Sequence, residues 1–180
     1  MALELSILIC TTYARDEVIK PLLANIKAQF GYNIELLINH NETDNVGKKR
    51  NVLLQEAKGK YVVFVDSDDE ISYNYVSLII EACKSDADCI GINGTITTNG
   101  TDERKWFISK EYGSWHFRDN IYYRTPNHIS PVKRELALLA GFPEISHGED
   151  FAYSMALLPF LKTETIIEQP IYHYRYDNRK

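Results

Sequence analysis

A chain of 180 residues, 44% hydrophobic and 25% charged, is long enough to bury a sizeable core and fits one globular domain. Its formal net charge of -5 excludes a surface built to coat nucleic acid, which needs an excess of Lys and Arg. The first apolar run, Leu5 to Cys10, is too short for a signal core or a membrane span, so a cytoplasmic chain with no integral membrane segment is expected. Cys10, Cys83 and Cys89 each lie in apolar segments without metal-ligand spacing, and free buried thiols are expected.

In chain order, Leu5 to Cys10 reads as a strand, and Ile19, Leu22, Leu23, Ile26 and Phe30 fall at helical spacing. Ile34 to Ile38 is a second strand. Val46, Leu53, Leu54 and Ala57 mark a second helix, expected to close at Gly59 before a third strand from Tyr61 to Val65. Val76, Ile79, Ile80 and Cys83 predict a third helix, and Cys89 to Ile92 a fourth strand ended by an Asn93-Gly94 turn. The remainder is less regular. It carries a second turn signal at Asn99-Gly100, aromatics from Trp106 to Tyr123, and a helix expected to start with Ser130 as cap and Pro131 at its first position and to stop at Gly141. A last helix is expected to begin around Gly148-Glu149-Asp150, and Ile171 to Tyr174 to form a closing strand. Alternating strands and helices give an α/β fold with a mostly parallel sheet, which binds ligands beyond the carboxyl ends of its strands.

The strand Val62-Val63-Phe64-Val65 runs into Asp66-Ser67-Asp68-Asp69-Glu70 at that edge. Clustered carboxylates repel one another, and a hard divalent cation, Mg2+ or Mn2+, relieves this while bridging protein acids to a diphosphate. Asp69 and Glu70 read equally well as first-turn acids of the next helix. The pair Glu149-Asp150 places an ionised carboxylate at a helix start, the state a general base needs near neutral pH.

Four segments in this order resemble the family 2 glycosyltransferases of the GT-A fold: Ser6 to Arg15, Gly47-Lys48-Lys49-Arg50-Asn51 with Ala57 to Tyr61, Asp66-Ser67-Asp68-Asp69 as an Asp-x-Asp motif, and Gly148-Glu149-Asp150. The resemblance implies a single GT-A (Rossmann-like) domain over 1–180, with a mostly parallel central sheet flanked by helices. Residues 1–92 would be the nucleotide-binding half and 93–180 the acceptor and catalytic half. It implies an inverting, metal-dependent transferase that moves a sugar from a nucleotide-diphospho-sugar donor, UDP favoured, to a glycan or other hydroxyl acceptor. By the same resemblance Thr11, Thr12, Tyr13, Arg15, Asn39, Arg50, Asp66, Ser67 and Arg175 would line the donor site. Asp66 and Asp68, with His173, would hold the metal, and Asp150 rather than Glu149 would be the base. Asn39 stands where the family commonly has an aspartate that reads the nucleobase, and an Asn can accept from a base imide N–H. Aromatics of the Trp106 to Tyr123 stretch are expected mostly in the core, with Trp115 the candidate to stack on an acceptor sugar.

Other chemistries share parts of this pattern. A haloacid-type phosphohydrolase also places Asp-x-Asp after a strand, but usually after its first strand and followed by Thr. A nucleotidyltransferase normally carries a Gly-rich basic loop, whereas Cys10-Thr11-Thr12-Tyr13 has no glycine. A non-catalytic nucleotide- or carbohydrate-binding domain remains compatible with the sequence.

Overall fold

A computed structural model describes residues 3–31 and 33–177. The strands are β1 (Leu5–Cys10), β2 (Ile34–Asn39), β3 (Tyr61–Phe64), β4 (Glu70–Ile71), β5 (Cys89–Thr98), β6 (Thr101–Ile108), β7 (His116–Arg118), β8 (Ile121–Arg124), β9 (Val132–Lys133) and β10 (Glu164–Tyr176). The α-helices are α1 (Asp16–Ala28), α2 (Val46–Glu56), α3 (Tyr75–Cys83), α4 (Arg134–Ala140) and α5 (Glu149–Leu157).

All described strands join one sheet in the order β2-β1-β3-β9-β5-β6-β8-β7, with β10 beside β5 and β4 against β10. Strand β1 pairs parallel with β2 and β3, and β10 pairs parallel with β5. Because β9 is antiparallel to both β3 and β5, strands β2, β1, β3, β5 and β10 all run the same way. That is the expected parallel centre; β6 extends it antiparallel to β5, β8 pairs parallel with β6, and β7 pairs antiparallel with β8 as the outer wing.

The period of two in the strands sorts the core into two layers. Leu5, Ile7, Ile9, Tyr61, Val63 and Val65 face α1 and α3 through Ile19, Leu22, Ile26, Val76 and Ile79. Leu8, Val62 and Phe64 face the other way, onto Leu53 and Leu54 of α2, Ala137 of α4, and Tyr153 and Leu157 of α5. Each such fully buried aliphatic side chain contributes roughly 1.5–3 kcal/mol. Helices on both faces leave the carboxyl edge of the parallel strands as the open concavity.

Three local expectations are corrected by packing. Asn93-Gly94 is no turn: β5 runs through it, and a Cβ on Gly94 would lie 2.2 Å from both Trp106 Cζ2 and the Tyr172 carbonyl oxygen. Gly59 lies beyond the C-cap Ala57 rather than closing α2; a Cβ there would meet the Ser6 nitrogen at 2.5 Å, and its N–H donates to Ser6 Oγ at 2.8 Å. The segment from Ser130 enters β9 first, so the next helix starts at Arg134, although it does end at Gly141. The Asn99-Gly100 signal holds, with φ of 53° and 77° in the two-residue connection of β5 to β6, the left-handed pair that such hairpins require.

Candidate active site

The nucleotide-side loop follows β1. Thr11 is buried; its N–H donates to the Asn39 carbonyl at 3.0 Å and its own carbonyl accepts from Lys49 Nζ at 2.9 Å. The buried Lys49 amine therefore ties α2 to this loop, a role the sequence did not single out. Thr12 turns the chain, its carbonyl accepting from Arg15 N, and Tyr13 emerges 65% exposed. One face of the Tyr13 ring stacks on His40, centroids 5.1 Å apart and planes 20° from parallel, while the Tyr13 N–H donates to Glu42 Oε1 at 2.9 Å. Neither His40 nor Glu42 was assigned to the site from sequence. Asn39 ends β2, and its carboxamide oxygen accepts from Asn41 N at 2.8 Å.

Opposite this loop stands the acidic turn after β3. Arg15 reaches across to it, NH1 donating to Ser67 Oγ at 3.2 Å and lying 3.1 Å from Asp68 Oδ2. Arg50, with only 5% of its side chain exposed, donates through NH2 to Asp66 Oδ1 at 3.2 Å and sets NH1 3.1 Å from Glu149 Oε1. The second contact has the distance of an ion pair without hydrogen-bond alignment. His128 Nε2 meets the other Asp66 oxygen at 3.1 Å. Burial alone would raise the Asp66 carboxyl, but the His128 imidazole and the Arg50 and Arg15 guanidiniums outweigh it and hold the group well below the usual carboxylate range. Arg50 is thus a strut beneath the acids, joining α2, the Asp66 turn and the start of α5.

Asp69 is not a first-turn acid, since α3 begins only at Tyr75. It is buried, accepting from Tyr172 Oη at 2.7 Å and from Arg175 N at 2.8 Å. Burial and the neighbouring Asp66 charge push its carboxyl well above the usual carboxylate range. The same Tyr172 hydroxyl accepts from Asp66 N at 3.1 Å, so β10 grips the acidic turn at two points. Glu70 stays exposed in β4, 3.4 Å from Arg175 NH1. Arg175 and Asp68 line a common cleft of about 590 Å³ with Thr97 and Val18.

His173 lies on β10 with Nδ1 2.6 Å from Thr95 Oγ1 and Nε2 3.2 Å from Thr97 Oγ1. Both ring nitrogens are engaged away from the acids, so the structure does not bring His173 to Asp66 and Asp68. Among the described residues no group of three His, Cys, Asp or Glu side chains is placed to hold a metal ion. The repulsion that the sequence assigned to a cation is already relieved by Arg15, Arg50 and His128.

The start of α5 separates its two acids. Glu149 is buried against Arg50, and desolvation raises its carboxyl. Asp150 sits in the wall of another cleft, of about 420 Å³, shared with Arg124 and His128. Trp115 is anchored inward, its Nε1–H donating to Thr125 Oγ1 at 3.1 Å, and Arg124 covers its face at 4.2 Å. His128 was missed because it lies in a buried segment bracketed by Pro126 and Pro131 that shows neither helical nor strand period.

Residues 36–137 match the model of the family described as glycosyl transferase family 2. The chain belongs to glycosyl transferase family 2. It is 24% identical over 148 residues to the protein EpsH of Bacillus subtilis (strain 168), an alignment covering 76% of this chain and 43% of EpsH. Its fold is shared with S. aureus TarS 1-349, at a TM-score of 0.72 and 18% identity over 96% of this chain and 60% of that one. GalNAc-T7, solved with UDP, GalNAc and Mn2+, aligns more loosely at a TM-score of 0.54 and 13% identity, covering 98% of this chain and 44% of that one. The chain thus spans less than two thirds of the length of each of these relatives. Among the described residues no helix is long and apolar enough to cross a membrane.

Proposed function

We propose that this chain transfers a sugar, with inversion, from a UDP-sugar to a hydroxyl acceptor, and that Asp150 is the general base. The observation that carries this reading is the division of labour at the start of α5. Glu149 is locked to Arg50 inside the protein, whereas Asp150 opens onto a cleft next to the acidic turn. A base has to reach the acceptor hydroxyl, so the acid in the cleft is the one fitted to accept its proton.

Residues 1–92 supply the donor side. Tyr13 offers the outer face of a ring already stacked on His40 to a nucleobase, next to Asn39, and Thr11 and Thr12 shape the loop that carries it. Arg15, with Ser67 and Asp68, stands where a diphosphate would meet the carboxyl edge of the sheet, and Arg175 borders the same cleft. Residues 93–180 supply the cleft and Asp150. S. aureus TarS has been solved in complex with UDP-GlcNAc and with UDP, which supports UDP as the nucleotide.

Asp68, with Asp66 behind it, would hold a hard divalent cation, Mn2+ or Mg2+, through its carboxylate, the cation taking over the charge that Arg15 now balances at that edge while Asp66 keeps its contacts to Arg50 and His128. A cation bound there would supply positive charge at the departing diphosphate; GalNAc-T7 was solved with UDP, GalNAc and Mn2+. His173, bonded to two threonines, is not counted as a ligand. The Arg15 guanidinium provides fixed positive charge at the same edge, and Arg50 orients Asp66.

Turnover with an acceptor, beside donor binding by calorimetry, tests the base. Asp150→Asn is expected to lower turnover by roughly 10²-fold or more with donor affinity nearly unchanged, the usual contribution of a positioned base. Glu149→Gln should be the milder change in turnover. If Asp150→Asn turns over like wild type while Glu149→Gln is inactive, the base is Glu149.

A further inference from the structure

The cleft that holds Asp150 contains a cation, Arg124, that no carboxylate meets at ion-pair distance among the described residues. Its walls include the apolar side chains of Ile96, Trp106 and Ile108, and its polar residues are Arg124, His128, Asp150, Asn127, Tyr122 and Tyr174. Arg124, half-buried at the end of β8, has its guanidinium carbon 4.2 Å over the Trp115 ring and 5.8 Å from the Tyr122 ring.

Other arginines of the described chain have partners. Arg15, Arg50, Arg104, Arg118 and Arg175 each meet a carboxylate, and Arg134 donates to the Gln55 carbonyl. Arg124 forms no side-chain ion pair or hydrogen bond among the described residues. Burial works against its charge and the Asp150 carboxylate offsets this only in part. His128 Nδ1 is also buried with no hydrogen-bond partner. Arg124 is only partly desolvated, with its N–H groups still reaching solvent in the cleft, and such a guanidinium gains from pairing with an anion that replaces that water. Stacking on an indole holds its plane and leaves the donating edge open to a planar or tetrahedral anion.

We propose that Arg124 binds an anionic group, a carboxylate or phosphate, on the acceptor, seating it in the cleft so that a neighbouring hydroxyl faces Asp150. This rests on the transferase reading for the word acceptor; the anion site itself rests on Arg124, Trp115 and the cleft. The acceptor is favoured over the transferred sugar because the cleft contains Asp150, the proposed base, and no residue of the Thr11 to Arg15 loop lines it.

The two tryptophans of the sequence, Trp106 and Trp115, both belong to this region, so intrinsic fluorescence reports its occupancy. The full chain, with UDP and Mn2+ present, would be titrated with methyl β-D-glucuronide and with neutral methyl β-D-glucoside, and in parallel with glycerol 3-phosphate and glycerol. At least one anionic probe is expected to bind about 10-fold or more tightly than its neutral counterpart, a ratio that falls to near one in Arg124→Gln and is partly kept in Arg124→Lys. Thermal melts check that both variants fold, and UDP affinity should be the same in all three proteins. No preference for either anion, or a preference that survives Arg124→Gln, would overturn the proposal. A comparison of UDP-glucuronic acid with UDP-glucose identifies the source. If Arg124→Gln removes discrimination only there, the anion belongs to the donor sugar and the acceptor assignment fails. If UDP does not bind but the glucuronide preference persists and depends on Arg124, the donor reading fails and the anion site stands.

Discussion

Arg50 holds two carboxylates, Asp66 and Glu149, with 5% of its own side chain exposed. Removing one partner of a buried charge network leaves the others uncompensated, so Arg50→Met is expected to cost about 3–5 kcal/mol, read as a fall in the denaturant midpoint. Little change in stability would mean that solvent replaces the strut. The three thiols make a second residue-scale case. Burial pushes Cys10 and Cys83 up to about 12 and raises Cys89 as well. Since the thiolate is the nucleophile, labelling of the native protein by a disulfide reagent at pH 8 should be at least about 100-fold slower than in denaturant. The sign of the linked stability follows: a raised folded pKa keeps its contribution below the unfolded thiol pKa, and the contribution is lost as pH rises towards the folded one. Residue identities alone pointed to free thiols, of which Cys83 and Cys89 are buried and Cys10 partly so, and they showed Asp66, Asp68 and Asp150 as acids at strand and helix ends. They did not show that Arg15 and Arg50, from two other elements, already pair with Asp68 and Asp66, because the partners lie far away in sequence.

Elements are joined at a few polar clips as well as by the core. Asp88, before β5, accepts from Lys162 N at 2.8 Å, from Thr163 N at 3.0 Å and from Lys133 Nζ at 3.3 Å, which ties the starts of β5 and β10 to β9. Although desolvation opposes it, these donors hold the Asp88 carboxyl below its ordinary value. Asp88→Asn should therefore destabilise by about 1–3 kcal/mol near pH 7. Because a depressed pKa gives stability that is present above the unfolded value and lost as pH falls through the folded one, the gap between wild type and variant should close in acid. An unchanged gap at pH 3 would contradict the assignment. Gly94→Ala probes packing instead: a methyl driven onto Trp106 and the Tyr172 carbonyl should cost roughly 1–3 kcal/mol or more, measured as a lowered Tm. This is also where sequence reading stopped short. Asn93-Gly94 and Asn99-Gly100 look alike locally, yet only the second turns the chain, because tertiary contact with Trp106 demands the first glycine inside a strand. The β9 segment was likewise hidden, since two strand residues ahead of a helix leave no period to detect.

Across the whole molecule, the strand-helix alternation of the first half made the parallel centre legible, and the order of four short motifs pointed to glycosyl transferase family 2. The wing of β6, β7 and β8 was not legible, as its aromatics serve both packing and cleft and its pairing is set by β5. The fold places the Tyr13 loop, the acidic turn and the start of α5 around one edge of the sheet, so the central claim is that this edge is a nucleoside-diphosphate site. Calorimetric titration with UDP in Mn2+, on wild type, Asp68→Asn and Asp150→Asn, tests that claim most directly. Wild type and Asp150→Asn are expected to bind UDP alike, and Asp68→Asn to bind it about 10-fold or more weakly. UDP that binds none of the three, or binds Asp68→Asn as well as wild type, would contradict the account.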